Sequence, residues 1–325
     1  MYKNIIRKTI KFCCQIMLLR VAIRSVTRFV LHRGNIPPWL DQMATTMSDI
    51  IPVDDVKWFK TILGSCKMVI TVSPNEHGAV SKLYWKGSAS LDKETIMIFQ
   101  KFACFANVIL DIGANWGYYT LLSRAFAPSA KIVTFEPHPF WYKKLNENIS
   151  ANRLKNVFSE NIAIGKTVGT FSFYIDTKHP SASSMVKAYF RKDETPVESM
   201  TNVTTVDKYV LGNDSFAKID LIKIDVETFE GDVLMGMKAV IERDHPDIIC
   251  EVLPDEGLDY RNANRKVVHS IISEAGYFSY WISDHGLVQE DEIKGHFPFS
   301  NYLFTIKKIP RRGEEFFPLL GVAPS

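Results

Sequence analysis

The chain has 325 residues, 46% of them apolar and 23% charged, with a net charge of +3. That composition supports a buried core and excludes the disordered, collagen-like and coiled-coil classes. The five cysteines (Cys13, Cys14, Cys66, Cys104, Cys250) are odd in number and lack any CxxC pair, so neither a disulfide framework nor a zinc ribbon is supported. Reduced thiols in a cytoplasmic setting fit best.

Charge is unevenly spread. Residues 1–33 hold eight basic and no acidic side chains, which leaves the rest of the chain at −5. An acidic body argues against a nucleic-acid partner, because that affinity rests on Lys and Arg neutralising phosphates. Within the arm, apolar residues recur at helical spacing, but basic ones interrupt every run short of the roughly 18 residues a membrane span needs. Arg20 and Arg24 cut the apolar stretch, and no convincing small-residue cleavage site is present, so a secretory signal is a poor fit. The basic amphipathic arm, residues 1–36, leaves three readings: peripheral contact with an anionic membrane, an accessory helix, or an organellar transit segment.

Gly34–Pro38 breaks the helical pattern and marks a boundary. Residues 37–106 read as a small α+β lead-in, with β-like runs at Met68–Val72 and Val80–Trp85 around a turn-rich Ser73–Gly78, then a helix from Leu91 to Phe102. Over residues 107–309 short apolar runs alternate with amphipathic segments, the pattern of βαβ units and a parallel sheet. Strands are predicted at 108–112, 131–135, 157–164, 221–225, 247–252, 277–282 and 302–306, with helices at 118–125, 140–151, 231–242 and 264–275. An insertion with β-like runs at 170–175 and 203–206 separates the third and fourth strands, and residues 310–325 form a tail.

The first of these strands runs through Asp111-Ile112-Gly113-Ala114-Asn115-Trp116-Gly117-Tyr118 into a helix. Ligands bind where such turns leave the carboxyl edge of an open α/β sheet, and glycine lets a ligand approach the backbone. The second strand ends at Glu136-Pro137, 25 residues beyond Asp111, where an acid can accept from both ribose hydroxyls. The D-x-G-x-N-x-G spacing differs from the G-x-G-x-x-G that receives a pyrophosphate, so a cofactor without phosphates is favoured. S-adenosylmethionine meets that description, with its ribose on Glu136 and its amino-acid end near Asp111 and the turn.

The segments VILDIGANWGYYTLL, IVTFEPHPFWYKKLNENISAN, NIAIG, SASSM, TTVDKYV, LIKIDVETFEGDVLMG, IICEV and NYLF occur in the order of the motifs of FkbM-type S-adenosylmethionine-dependent methyltransferases, which this chain resembles over about 200 residues. The resemblance implies a class I methyltransferase (Rossmann-like) α/β fold: a seven-stranded, mostly parallel sheet with the last strand antiparallel, here behind an N-terminal extension. It also implies O-methyl transfer, in many members to sugar hydroxyls of glycans, and a cofactor site at Asp111, Gly113, Ala114, Asn115, Gly117, Tyr118, Glu136, Pro137 and Ala163. The family pattern reads KIDVEG-x-E, whereas this chain has Thr228 at the glycine. Thr is a poor substitute where a turn needs positive φ, so either the turn or the site is altered.

On the fourth strand Lys223, Asp225 and Glu227 project to one face, because side chains alternate with period two. A sugar hydroxyl needs a general base, and the candidates in order are Glu227, Asp225 and His138, with Lys223 pairing with a carboxylate. Ser183 and Ser184 match a family serine pair and are candidate acceptor contacts, although a Ser-rich loop accounts for them equally. Glu230 suits either the acceptor or the dipole of the next helix, and Glu251 either the acceptor site or a structural hydrogen bond. Tyr84-Trp85 and Tyr280-Trp281 offer faces on which a sugar could stack, or core. No histidine or cysteine spacing calls for a metal, though Asp225 and Glu227 would suffice for magnesium. The alternatives retained are a lipid, polyketide or protein acceptor, or a decayed cofactor-binding scaffold at a membrane.

Overall fold

The computed structural model describes residues 53, 56–73, 78–88, 91–177, 181, 183–190, 195–212, 216–298 and 300–309. The basic arm and the tail lie outside the described residues. The chain divides into two compact units, the first running to Lys93 and including 150–153, the second holding the remainder from Glu94.

In the first unit, β1 (Trp58–Leu63) and β2 (Cys66–Thr71) form an antiparallel hairpin in which Leu63 pairs with Cys66. The bend falls at Gly64, whose φ of 57° suits glycine. It therefore lies earlier than the expected turn at Ser73–Gly78. The run expected as a second strand is instead a helix, α1 (Ala79–Lys86). Its buried Val80, Leu83 and Tyr84 stand at i, i+3 and i+4, a helical stripe that outweighs the β preference of its aromatic residues.

The second unit opens with α2 (Lys93–Ala103), close to its expected span. It then alternates β3 (Val108–Ile112), α3 (Tyr118–Phe126), β4 (Lys131–Phe135), α4 (Pro139–Ala151) and β5 (Val157–Glu160). The single strand expected over 157–164 is two. Asn161 turns the chain by donating through Nδ2 to the Glu136 and Pro137 carbonyls at 2.8 and 3.1 Å. Beyond it, β6 (Ala163–Ile164) leaves for a separate three-stranded sheet with β7 (Gly169–Ile175) and β8 (Val197–Thr204).

After α5 (Val206–Leu211) the chain re-enters the main sheet through β9 (Leu221–Ile224). The helix expected at 231–242 is two, α6 (Glu230–Met235) and α7 (Lys238–Asp244), parted at Gly236. A Cβ on Gly236 would stand 2.0 Å from the Gly165 carbonyl oxygen, so only glycine allows this approach. There follow β10 (Asp247–Glu251), α8 (Asp259–Glu274), β11 (Phe278–Ser283), β12 (Gly286–Glu290) and β13 (Asn301–Thr305).

The main sheet has the order β12-β11-β13-β10-β9-β3-β4-β5. Strands β10, β9, β3, β4 and β5 are parallel, and β13 is antiparallel to both β10 and β11. The expected class I arrangement with an antiparallel last strand is therefore present. An eighth strand, β12, extends the edge as a hairpin from β11. Every residue of β3, β9 and β13 is buried, as strands covered on both faces require. Each Leu, Ile or Val there stabilises the fold by about 1.5–3 kcal/mol. No helix among the described residues is long and apolar enough to cross a membrane.

Candidate active site

Two turns meet at the carboxyl edge of the sheet, one after β3 and one after β9. In the first, Gly113 and Gly117 have φ of 83° and 93°, and Asn115 also lies in the left-handed region at 52°. The Gly113 and Ala114 amides donate to the Phe135 carbonyl at 2.9 and 3.0 Å, tying this turn to the end of β4. A Cβ on Gly113 would meet the Asp225 carbonyl oxygen at 1.8 Å, so this glycine also lets the second turn pack.

Glu136 follows β4 directly and is 6% exposed. Its Oε2 accepts from the Asn115 amide at 2.7 Å and its Oε1 from the His138 amide at 2.8 Å. Burial pushes the carboxyl up to about 7, against the pull of these two bonds. Each oxygen has a second lone pair left for a ligand. Asp111 is held by Thr120 Oγ1 at 2.6 Å beneath the turn, where burial lifts it to about 6.

In the second turn β9 ends at Ile224, one residue before Asp225. Asp225 and Glu227 thus do not continue the strand's alternation, and it is the turn that aims them. Glu227 and Thr228 are both left-handed, with φ of 52° and 71°. The chain therefore keeps a positive-φ turn without the family's glycine. Glu230, the first residue of α6, is buried beneath this turn. Its Oε1 accepts from the Thr228 amide at 3.2 Å and the Val226 amide at 3.4 Å, and its Oε2 accepts from Asn264 Nδ2 at 2.7 Å. Burial raises its carboxyl to about 7. The Glu227 carbonyl accepts from Ser184 Oγ at 2.7 Å and from Thr228 Oγ1 at 2.5 Å.

Between the turns lies an open cleft. Of the residues expected from sequence, Gly113, Asn115, Glu136, Pro137, His138, Ala163, Ser183, Asp225 and Glu227 line it. Behind it, Gly117 packs on Leu145 and Tyr118 stacks among Trp116 and Tyr119, while Ala114 is buried. Asp111, Ser184, Lys223, Glu230 and Glu251 also stand outside the lining. Lys223, 1% exposed, donates to Asp225 Oδ2 at 3.2 Å and Asn301 Oδ1 at 3.3 Å, and its ammonium lies 5.1 Å from the centre of the Tyr119 ring.

Asp225, Glu227 and Glu251 bring carboxylate oxygens within 4.8 Å of one another, so that a divalent cation could be held there. Glu251 also accepts from Ser300 Oγ at 2.7 Å. Burial first, and Asp225 next, push both glutamate carboxyls above the usual carboxylate range. His138 Nδ1 accepts from the Phe140 amide at 3.1 Å, so the neutral ring carries its proton on Nε2, and burial lowers its tendency to charge.

Three other cleft residues and one that reaches the cleft through Glu227 were not singled out from the sequence. Trp141 enters from α4, Phe173 from β7 and Phe229 from the second turn. Tyr189, on a 3₁₀ turn (Lys187–Tyr189), donates its hydroxyl to Glu227 Oε2 at 2.7 Å. They come from segments far apart in sequence. The aromatic pairs considered for stacking are mostly core: Tyr84, Trp85 and Tyr280 are buried, and Trp281 stacks on His296 at 3.8 Å.

The chain is similar to a methyltransferase, sdnD, from Sordaria araneosa, with 29% identity over 170 residues, 45% of this chain and 64% of that protein. It is 23% identical over 167 residues to Methyltransferase 1 of Beauveria bassiana, covering 62% of that protein. The chain thus spans less than two thirds of the length of these relatives. A crystal structure of methyltransferase FkbM from Methylobacillus flagellatus superposes with a TM-score of 0.40 at 13% identity, over 62% of this chain and 43% of that one. The family model described as the methyltransferase FkbM domain matches residues 111–278, more than half of the chain, which therefore belongs to the FkbM methyltransferase family.

Proposed function

We propose that this chain is an S-adenosylmethionine-dependent O-methyltransferase that acts on a hydroxyl of a sugar, glycan or glycolipid. The observation that carries the cofactor is Glu136, a buried carboxylate bracketed by two backbone donors with lone pairs left for ribose hydroxyls. The glycine turn beside it and the two buried, unpartnered N–H groups of His138 and Trp141 on the cleft wall fit a nucleoside.

The cofactor supplies an electrophilic methyl group on a sulfonium. The chain's own residues supply position and proton management. Asp225 and Glu227 face the cleft from the second turn, where a sugar's hydroxyls would find acceptors. Glu227 takes the hydroxyl proton as general base, and Tyr189 fixes its carboxylate by donating to Oε2. Bound S-adenosylmethionine, held by Glu136 and the glycine turn, would donate its methyl carbon to the acceptor oxygen and leave as the thioether, while the hydroxyl proton goes to Glu227. Ser183 lines the acceptor side, and Lys223 holds Asp225 by donating to its Oδ2. Residues 1–33 support peripheral contact with an anionic membrane, tested by co-sedimentation with anionic liposomes at low salt before and after their removal.

The test of this reading is calorimetric titration of S-adenosylhomocysteine into wild type and Glu136→Ala. Wild type is expected to bind, and the variant to bind about a hundredfold more weakly. Only the ionised carboxylate can accept all four hydrogen bonds, so affinity should fall as pH drops below about 7. Glu227→Gln should keep cofactor binding and lower kcat by about a hundredfold or more in transfer to a glycan panel. Absence of binding by folded wild type overturns the cofactor, and transfer to lipids alone overturns the acceptor.

A further inference from the structure

Two buried donors on the wall of the cleft have no acceptor among the described residues. His138 is 6% exposed and Trp141 9%. With Nδ1 of His138 taken by the Phe140 amide, its proton sits on Nε2, and that atom is unpartnered. The only polar atom of the Trp141 side chain, Nε1, is a donor and is also unpartnered. Both residues line the cleft that holds Glu136. A buried donor left without an acceptor is costly, and native folds keep few of them, so a pair on one wall calls for an explanation.

The surroundings describe what would satisfy them. Phe173 stands edge-on to the His138 ring at 6.1 Å between centroids, and Trp141 lies 6.4 Å from it. Ile162 and Ala163 add apolar wall. Apolar and aromatic walls with N–H donors, and no Lys or Arg among the described lining residues, do not suit a phosphate or carboxylate. They suit a flat heteroaromatic ring with lone pairs on its ring nitrogens.

We propose that His138 Nε2–H and Trp141 Nε1–H are specificity-determining donors that read ring-nitrogen acceptors of the cofactor's purine, beside the carboxylate that takes its ribose. This assignment rests on the cofactor reading above. It gives His138 a binding role in place of general base, because in this tautomer its free nitrogen donates.

The experiment pairs ligand atoms with protein atoms. S-adenosylhomocysteine and its 1-deaza, 3-deaza and 7-deaza analogues, each lacking one ring nitrogen, are titrated into wild type, Trp141→Phe and His138→Asn. Phe keeps the ring without the donor, and Asn keeps an acceptor for the Phe140 amide while removing Nε2–H. Thermal melting of each variant establishes that it is folded. At least one analogue is expected to bind wild type about tenfold more weakly than the parent ligand, with that penalty abolished in one variant. Equal binding of all analogues by wild type, or the same penalty in both variants, overturns the proposal and leaves the cofactor reading standing. Failure of wild type to bind S-adenosylhomocysteine overturns both.

Discussion

The turns after β3 and β9 do the same structural task with different materials. The first places glycines at two of its three left-handed positions, Gly113 and Gly117, and Asn, the residue that best tolerates that conformation after glycine, at the third. The second places Glu227 and Thr228 there, and a β-branched residue at positive φ is strained. Strain persists only where the surroundings over-determine it. Glu230 accepts from the amides of this turn, and the Ser184 and Thr228 hydroxyls hold the Glu227 carbonyl. The first turn is shaped by backbone permissiveness, the second by a network, and the second carries the candidate base.

The contrast breaks most completely at Gly113. Gly113→Ala would drive a Cβ into the Asp225 backbone and disrupt both turns at once, so a loss of about 3 kcal/mol or more is expected in chemical denaturation. Glu230→Ala strikes the second turn alone. It leaves the Thr228 amide buried without its acceptor, and about 2 kcal/mol should be lost, read as a lower denaturation midpoint with the slope unchanged.

A pH series on wild type and Glu230→Ala separates the turns. Glu230 and Glu136 have folded values of about 7, above the ordinary value of 4.5, so the native state holds more protons between those limits. Stability is therefore fully present below about 4.5 on their account and is lost as pH rises through 7, by on the order of a few kcal/mol. Glu230→Ala should flatten that slope in melts taken from pH 5 to 8. The smallest effect is a gain. Thr228→Gly relieves about 1–2 kcal/mol of left-handed strain and returns most of it as chain entropy and a lost hydroxyl bond. A net stabilisation of about 0.5 kcal/mol, with cofactor affinity unchanged, would confirm that glycine is dispensable here.

Much of this was legible in the linear chain. Strands β3, β4, β9, β10 and β13 are short, largely apolar runs buried along all or nearly all of their length, which is why their spans were readable to within a residue or two. The reading failed where one local pattern served two states. Val80–Trp85 satisfies strand propensity and helical spacing alike, and burial selected the helix. Residues 157–164 carry apolar residues on both sides of Ser159-Glu160-Asn161 and read as one strand, but Asn161 found carbonyls to bind in the Glu136 turn and split the run between two sheets.

The site divides in the same way. The chain by itself determined the candidate cofactor edge, because the glycine turn, Glu136 and Asp225 follow directly from where parallel strands end, and strand ends are written in local hydrophobicity. Only the tertiary structure decided the rest. It set the left-handed path of Glu227 and Thr228, the hydrogen bond from Tyr189 to the candidate base, and the placing of Trp141 and Phe173 on the cleft wall. These depend on contacts between segments separated by tens of residues, and such contacts are fixed by packing and hydrogen-bond satisfaction in the closed fold.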